Sequence, residues 1–340
     1  MSRRWVAVTG ALVAVMALVW LWPVPAAGQQ TVGSGYVAPR TAWGHPDLEG
    51  VWTNKTITPF ERPDEVGGRE FFTDEEIASR ESRAIEANTD EARFEDRSRD
   101  VGAAYNDFWW DRGTRVNYMK RTSQVIDPPD GKLPALTPQA GQREAARAAA
   151  RKERGPSDSF LDRSLYDRCI LRNNGLPGSM GPTAYNSNYQ ILQTPESVVI
   201  LIEMVPHARI IPIDGRPHLR STLRQWMGDS RGHWEGDTLV VETINFNDRT
   251  PNRGGANVNL RMVERFRRVS PDTIDYQYTI EDPTTFTRPW TAAIPMTKET
   301  NRIYDYACHE GNYGLEGILR GARADDKAAA EAAPSRSRSR

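Results

Sequence analysis

Apolar residues recur at every second position through the second half of the chain, from Tyr185 onward, in short stretches that turn residues separate. In Ile274–Ile280, for example, isoleucine and tyrosine alternate with aspartate, glutamine and threonine. A period of two places the apolar side chains on one face of a β-strand. Tight turns such as Glu235-Gly236-Asp237-Thr238 connect consecutive strands. The pattern predicts an antiparallel meander that forms a barrel or a sandwich.

The predicted strands of this half are short and follow one another closely. Many short strands at regular spacing are typical of a mainly β fold. They are Tyr189–Gln193, Val198–Met204, Arg209–Ile213, Arg231–Trp234, Leu239–Phe246, Leu260–Val269, Ile274–Ile280, Thr285–Met296 and Arg302–Ala307.

The first half of the chain combines one predicted strand, Leu48–Thr53, with a helical insertion over about residues 73–160. The insertion begins at Thr73, a hydroxyl that can cap a helix and is followed three residues later by a glutamate. It includes Pro138–Arg154, a helix rich in alanine and arginine with little apolar surface. Between the two helices, Arg121–Leu136 predicts a strand pair around a Pro-Pro-Asp-Gly turn.

The C-terminal part of the chain predicts one more helix, over Asn312–Arg323, and then a tail. Residues 328–340 end in alternating serine and arginine, a low-complexity composition that predicts disorder. Residues 29–327 are therefore predicted to form a single β-barrel domain with a helical insertion and a C-terminal helix.

Residues 1–28 have the pattern of a secretory signal peptide. Two arginines precede an apolar run from Trp5 to Trp22, two prolines end the run, and Ala26-Ala27-Gly28 provides small residues for cleavage. The alternative is an uncleaved membrane anchor, because the run approaches the roughly 20 residues that a spanning helix needs. In both cases the rest of the chain lies outside the cytoplasm, and we predict a periplasmic or secreted protein.

The charge balance excludes one class of partner. Without residues 1–28 the chain loses two of its 44 lysines and arginines, which leaves 42 against 45 acidic residues and a net charge near −3. Phosphate binding needs a basic excess, so we predict no nucleic-acid partner. No second apolar run approaches the length of a membrane span, so none is expected after signal cleavage. The oligomeric state stays open.

The chain has two cysteines, Cys169 and Cys308. In an oxidising compartment an even pair favours a disulfide. Closing a loop this long would stabilise the fold by roughly 4–5 kcal/mol on the chain-entropy account. The alternative is a reactive thiol at Cys308, next to His309. We favour the disulfide, because neither cysteine has a helix-start context that would lower a thiol pKa.

An apolar strand, Val198–Ile202, runs directly into a group of ionisable residues, which places charge beside the core. Such charge is either paired or functional. His207 and Arg209 are two positions apart and share a face of the next strand. A neighbouring guanidinium disfavours protonation of a histidine. We predict His207 as a general base and Arg209 as an anion stabiliser. The alternative is a structural ion network.

The ionisable residues that follow, Asp214, Arg216 and His218, are interpreted as a structural turn in which Asp214 pairs with Arg216. A second group near the C-terminus, Tyr306 and His309, supplies two candidates for a general acid.

A metal site is considered and not predicted. His207, His309 and Glu310 could provide two histidines and one carboxylate. The chain has no closely spaced ligand pair such as His-Glu-x-x-His, which would make the signal strong. Phosphate loops, GxGxxG and CxxC motifs are also absent, so we predict no cofactor.

An aromatic-rich segment includes Trp109, Trp110, Asp111, Arg112 and Tyr118. Aromatic side chains at this density most often belong to a core. In a barrel with an open end they also line the pocket of an apolar ligand, with a few polar groups beside them. We predict these five residues as substrate-binding, with the aspartate and arginine as the polar contacts.

The chain resembles two groups of proteins. Gly50-Val51-Trp52 and the consecutive hairpins resemble a lipocalin-like, or calycin, barrel, although this chain is about twice as long. A closer resemblance covers nearly the whole chain and is to a widespread, largely uncharacterised family of exported bacterial proteins. It implies fold and export. The matching phrases are Asp47-Leu-Glu-Gly-Val-Trp52, Phe108-Trp-Trp-Asp-Arg-Gly113, Asp167-Arg-Cys-Ile170, Ala208-Arg-Ile-Ile-Pro212, Gly228-Asp-Ser-Arg231, Trp234-Glu-Gly-Asp-Thr-Leu-Val-Val-Glu-Thr243, Phe286-Thr-Arg-Pro-Trp290 and Tyr306-Ala-Cys-His-Glu-Gly-Asn-Tyr-Gly314.

These observations support three hypotheses about function. The first is an exported barrel enzyme, a lyase or hydrolase, that applies acid–base chemistry to a small, partly apolar and aromatic molecule. The second is a lipocalin-like protein that binds a small molecule without turnover. The third is a surface interaction module that uses its exposed helices. An enzyme needs titratable groups at its cavity, whereas a carrier needs an apolar cavity with one or two polar anchors.

Overall fold

A computed structural model describes residues 35–87, 113–171, 180–181, 185–249 and 258–332. The predicted signal peptide lies outside the described residues, and so do Trp109, Trp110, Asp111 and Arg112. Residues 333–340 of the predicted tail lie outside them as well.

The described residues form eleven β-strands and three α-helices, joined by turns and irregular segments. The helices are α1 (Asp74–Ala87), α2 (Pro138–Lys152) and α3 (Tyr313–Ala332). The strands are β1 (Gly50–Thr53), β2 (Val125–Asp127), β3 (Asn188–Gln193), β4 (Ser197–Ile202), β5 (His207–Pro212), β6 (Asp229–Glu235), β7 (Thr238–Ile244), β8 (Arg261–Ser270), β9 (Thr273–Glu281), β10 (Trp290–Ala293) and β11 (Met296–Lys298).

The strands form one antiparallel sheet that curves into a nearly closed barrel, which confirms the predicted fold class. Hydrogen-bonded neighbours follow the order β5-β4-β3-β1-β11-β9-β8-β7-β6. Strands β10 and β2 lie outside this order: β10 pairs with β9, and β2 pairs with β10. The runs β3 to β5 and β6 to β9 are consecutive hairpins, as the regular turns predict.

The two end strands of the path, β5 and β6, pack side by side and form the seam of the barrel. Gly232 of β6 permits this approach because it has no side chain. A Cβ atom at this position would lie 2.9 Å from Cγ2 of Ile213 and 3.0 Å from Cγ2 of Ile211. The two isoleucines therefore fill the seam where a larger residue of β6 would stand.

Alternate residues of the strands point into the barrel. Along β9, Ile274, Tyr276, Tyr278 and Ile280 are buried, and the residues between them are partly exposed. An aromatic side chain removes about 150–250 Å² from water, and such burial stabilises by about 25 cal/mol per Å². The largest fully buried side chains are Trp52, Tyr189, Phe246, Phe266, Tyr276 and Trp290.

The predicted strand pair over Arg121–Leu136 is wrong. Within this range one strand forms, β2, and it pairs with β10 instead of a local partner. Leu136 makes an isolated bridge with Phe286. The turn itself is present, since the amide of Gly131 donates to the carbonyl of Pro128 at 3.0 Å. The segments on either side of the turn form backbone hydrogen bonds with residues far away in the chain. A local turn signal cannot predict these distant partners.

The segment Arg302–Ala307, predicted as a strand, has no regular secondary structure. The amide of Tyr304 donates to Oε1 of Glu203 at 2.8 Å, so a side chain takes the place of a neighbouring strand. A disulfide between Cys308 and Cys169 then holds the end of the segment, which confirms the predicted pairing.

The three helices lie at the surface. At the start of α1, Oγ1 of Thr73 accepts from the amide of Glu76 at 3.2 Å, and the glutamate accepts from the amide of Thr73 at 2.9 Å. This reciprocal capping is the predicted one. Helices α1 and α3 contain no buried residue, and α2 contains one, Ala140. Helix α3 continues to Ala332, nine residues beyond the predicted end. Among the described helices, none has the length and apolar character needed to cross a membrane.

Candidate functional site

Arg209 points into the barrel and forms a buried ion pair with Glu264. Strand β5 exposes Ile210 and buries Arg209 and Ile211, as alternation requires. The guanidinium donates through Nη1 to Oε1 of Glu264 at 2.9 Å and through Nη2 to Oε2 at 2.5 Å. The two side chains are 2% and 0% exposed. The fork of Arg209 is therefore occupied by a carboxylate of the same chain.

Hydroxyl groups complete this buried network. The Tyr276 hydroxyl donates to Oε1 of Glu264 at 2.9 Å. Nη2 of Arg209 lies 3.5 Å from the Ser230 hydroxyl, which is 2.9 Å from that of Thr243. The network joins β5 to β6, β7, β8 and β9, so it connects strands on both sides of the seam.

The electrostatics of the network favour the charged pair. Burial alone would lower the pKa of Arg209, but the charge of Glu264 and its hydrogen bonds raise this pKa above its usual value. Burial and the charge of Glu264 raise the pKa of Tyr276 well above its ordinary value, so the phenol stays protonated. A substrate anion at Arg209 would have to compete with Glu264 at two bonds.

His207, the predicted general base, is the first residue of β5 and is exposed. It pairs with Ile202 in the ladder and shares the face of Arg209. Burial lowers the pKa of His207, and the positive charge of Arg209 lowers it further. Although the ring retains contact with solvent, its surroundings favour the neutral form near pH 7. Its role as a base stays a prediction.

A cavity of about 460 Å³ lies beside the disulfide, and we name it the Tyr306 cavity. The S–S distance of the Cys169–Cys308 bond is 2.00 Å. The lining includes Tyr306 but neither His207 nor Arg209. Its lining includes Tyr166, Asp167, Asp305, Tyr306, Leu315 and Ile318.

Three tyrosines hold one wall of the cavity. The Tyr166 hydroxyl lies 2.9 Å from that of Tyr185 and 2.8 Å from that of Tyr306. Burial raises the pKa of Tyr166, and the hydrogen bonds to the other two phenols raise it further. The Tyr166 phenol is therefore neutral at physiological pH and the three rings are held in a fixed arrangement.

Another part of the lining belongs to the N-terminal end of α3. The Asn312 side chain accepts from the amide of Leu315 at 3.3 Å, so it caps the helix. Its Nδ2 donates to the carbonyl of Asp167 at 2.9 Å. This bond and the disulfide position α3 against the loop that contains Tyr166.

Two further predicted site residues, His309 and Tyr118, do not belong to the described lining of this cavity. His309 is exposed beside the disulfide and does not belong to the described lining. Tyr118 is 38% exposed, and burial with the charge of Asp275 raises its pKa. In the part of the chain that the structure describes, no group of histidine, cysteine, aspartate and glutamate could hold a metal ion.

In two other groups of ionisable residues, the side chains pair with one another. Asp214 pairs with Arg216 as expected, with Nε 2.9 Å from Oδ1. His218 is more extensively bonded than a turn residue: Nδ1 is 2.8 Å from Oδ2 of Asp229, and Nε2 is 3.3 Å from Oε1 of Glu242. Both ring nitrogens are thus engaged.

Sequence reasoning missed Tyr166, Asp305 and Asn312 as lining residues. One signal could have found them, since each lies within four residues of Cys169 or Cys308. Once the two cysteines are paired, the segments around them lie close together, so their polar and aromatic residues become candidates for one site.

Comparisons of the chain with protein-family models, with curated proteins and with solved structures find no match.

Proposed function

We propose that this protein binds a small, partly apolar molecule in the Tyr306 cavity. The observation that supports this is the combination of volume and lining. At about 460 Å³ the cavity falls in the range of about 300–1,000 Å³ that is usual for small-molecule sites. Aromatic rings, two aliphatic side chains and a few polar groups converge there, as such sites require.

The walls of the cavity support binding because they are already ordered by covalent and hydrogen bonds. The disulfide joins the two chain segments, and the phenol of Tyr166 fixes that of Tyr306. A ligand would meet side chains that have already lost much of their rotational freedom, which lowers the entropic cost of binding.

Export to the periplasm or the exterior is part of this proposal. Disulfides persist in oxidising compartments and are rare in reducing ones. The Cys169–Cys308 bond agrees with export. Residues 1–28, with their signal-peptide pattern, would direct it.

Binding is tested with a substitution that fills the cavity. Ile318 lines it and is 41% exposed, so Ile318→Trp can add volume without disturbing a core. The matched control is Ile85→Trp on α1, where the isoleucine is 60% exposed. Saturation-transfer NMR would use three benzyl probes: benzyltrimethylammonium, benzyl alcohol and phenylacetate. We expect at least one probe to bind the wild type and the control and to lose binding to Ile318→Trp.

Binding of none of the three probes, or equal binding to Ile318→Trp, would refute this function. The charge of the probe that binds is a separate result, on which the proposal does not depend.

A second candidate function is the acid–base enzyme, a lyase or hydrolase acting on an aromatic molecule. The lowered pKa of His207 favours it, because a neutral imidazole can accept a proton at pH 7. The test is turnover of a panel of aromatic esters, ethers and alcohols by the wild type and His207→Gln. Turnover that His207→Gln abolishes would support the enzyme, whereas equal turnover by both would remove His207 from the mechanism.

A further inference from the structure

We infer that the Tyr306 cavity selects a small organic cation, an ammonium group carried on an apolar or aromatic body. The inference rests on the proposed function and narrows the ligand to one class. It depends on the charge, the rings and the apolar surface of the lining.

The described lining contains two carboxylates, those of Asp167 and Asp305, and no lysine, arginine or histidine. The negative charge of Asp167 is partly compensated. Its Oδ2 lies 3.1 Å from Nη2 of Arg163 and accepts a hydrogen bond from the amide of Ser164 at 3.3 Å. Among the described residues, the Asp305 side chain makes no hydrogen bond or ion pair and is exposed. About one negative charge thus remains available to a ligand.

Two tyrosines line the cavity together with these carboxylates. The rings of Tyr166 and Tyr306 line the cavity, and the hydrogen bond between their hydroxyls holds them together. The face of a tyrosine ring attracts an ammonium group within about 6 Å of its centroid. Clusters of aromatic rings are the usual recognition site of a quaternary ammonium group.

The apolar part of such a ligand would contact Leu315 and Ile318. Both residues line the cavity from the first turns of α3. Because α3 contains no buried residue, this surface is available to a ligand.

One feature of the cavity opposes the inference. The N-terminus of α3 reaches the lining, and a helix N-terminus carries about half a positive charge, which favours an anion. Asn312 already caps the amide of Leu315. Glu316, in the first turn, is paired with Arg320 at 2.6 Å, so it adds little net charge. The carboxylate of Asp305 exceeds the remaining partial charge, so the cation is the favoured ligand.

The inference is tested with the three benzyl probes, measured by calorimetric titration at low and high salt. We expect benzyltrimethylammonium to bind about tenfold more tightly than benzyl alcohol or phenylacetate, with affinity that falls as salt rises. Asp305→Asn should weaken the cation about three- to fivefold and leave benzyl alcohol unchanged. Tyr306→Leu, which removes a ring, should weaken it by a similar factor.

The matched control is Asp325→Asn, which removes the same charge from an exposed position of α3 outside the lining. It should bind the cation as the wild type does, and circular dichroism verifies that each variant is folded. Equal affinity for all three probes, or preference for phenylacetate, would overturn the cation inference while leaving the proposed function intact. Unchanged cation binding by both Asp305→Asn and Tyr306→Leu would also overturn it.

Discussion

At the scale of single residues, Arg209 and Glu264 form a buried ion pair inside the barrel. Each partner is nearly inaccessible to water, and two short hydrogen bonds join them. Moving a charge into a protein interior costs several kcal/mol, which a well-placed partner offsets. Replacing either residue alone would therefore leave its partner as a buried, unpaired charge and destabilise the fold.

Arg209→Met should reduce the free energy of unfolding by about 3–5 kcal/mol, because Glu264 would remain buried without a cation. The double variant Arg209→Met with Glu264→Leu should recover most of this loss, since no charge is then buried. Urea unfolding measures both. As a control, Arg265→Met removes one partner of the exposed pair with Glu235 and should cost at most about 1 kcal/mol. An equal loss of unfolding free energy in Arg209→Met and Arg265→Met would contradict this prediction. It would show that Glu264 does not remain as a buried, uncompensated charge when Arg209 is replaced.

His207 should give the stability a measurable pH dependence. Its folded-state pKa is lowered, whereas a histidine in the unfolded chain titrates near 6.5. The unfolded state therefore takes up the proton first, and the contribution of His207 is present above about pH 6.5 and lost as pH falls below it. We expect His207→Gln to flatten the fall in unfolding free energy between about pH 7 and 5. Ala208→Gln, at the neighbouring exposed position of β5, removes no titratable group and should leave the slope unchanged. An unaltered slope in His207→Gln would contradict the assignment.

At the scale of elements, the segment from Tyr304 to Asn312 has no strand partner and is attached to the rest of the protein by other contacts. Its attachments are the bond from the Tyr304 amide to Glu203, the disulfide at Cys308 and the bond from Asn312 to the carbonyl of Asp167. These contacts place α3 and complete the Tyr306 cavity.

Removing the disulfide should destabilise the protein measurably. The two cysteines are 139 residues apart, and on the chain-entropy account a loop of this size corresponds to about 5 kcal/mol. Cys169→Ser with Cys308→Ser should lower the unfolding midpoint, and a reducing agent should lower that of the wild type to the same value. The reductant should have no effect on the double serine variant. A wild-type midpoint that reduction leaves unchanged would show that the bond does not constrain the unfolded chain.

At the scale of the whole molecule, stability is concentrated in the barrel. The aromatic and aliphatic core belongs to the strands, whereas α1 and α3 have no buried residue. Backbone amides that depend on few buried contacts open locally without global unfolding.

Hydrogen–deuterium exchange should therefore separate two classes of amides. We expect α1 and α3 to exchange first and the central strands β8 and β9 last, in a time course followed by mass spectrometry. Reduction of the disulfide should accelerate exchange in α3 and leave β8 unchanged, because β8 lies within the sheet. Exchange of α3 at the rate of β8 would mean that the helix belongs to the cooperative core.

Periodicity predicts the barrel strands well, because alternation is a local property that burial on one face imposes. It fails over Arg121–Leu136 and Arg302–Ala307. It also predicts one strand over Thr285–Met296, where the structure has a turn, then β10, then the start of β11. The segment Arg121–Leu136 pairs with distant residues, and Arg302–Ala307 is held by a side chain and a disulfide. Both outcomes depend on which segments meet in three dimensions.

The sequence by itself determines the antiparallel strands and the capped start of α1, since each follows from local pattern. It favours the disulfide over a reactive thiol, because the cysteines form an even pair without a helix-start context. Only the tertiary structure decides that Arg209 meets Glu264, 55 residues away, and that Tyr306 meets Tyr166, 140 residues away. A charge near an apolar strand can be catalytic or paired, and its partner lies too far along the chain for any local pattern to reveal. Tertiary contacts therefore place the candidate site at the disulfide and α3.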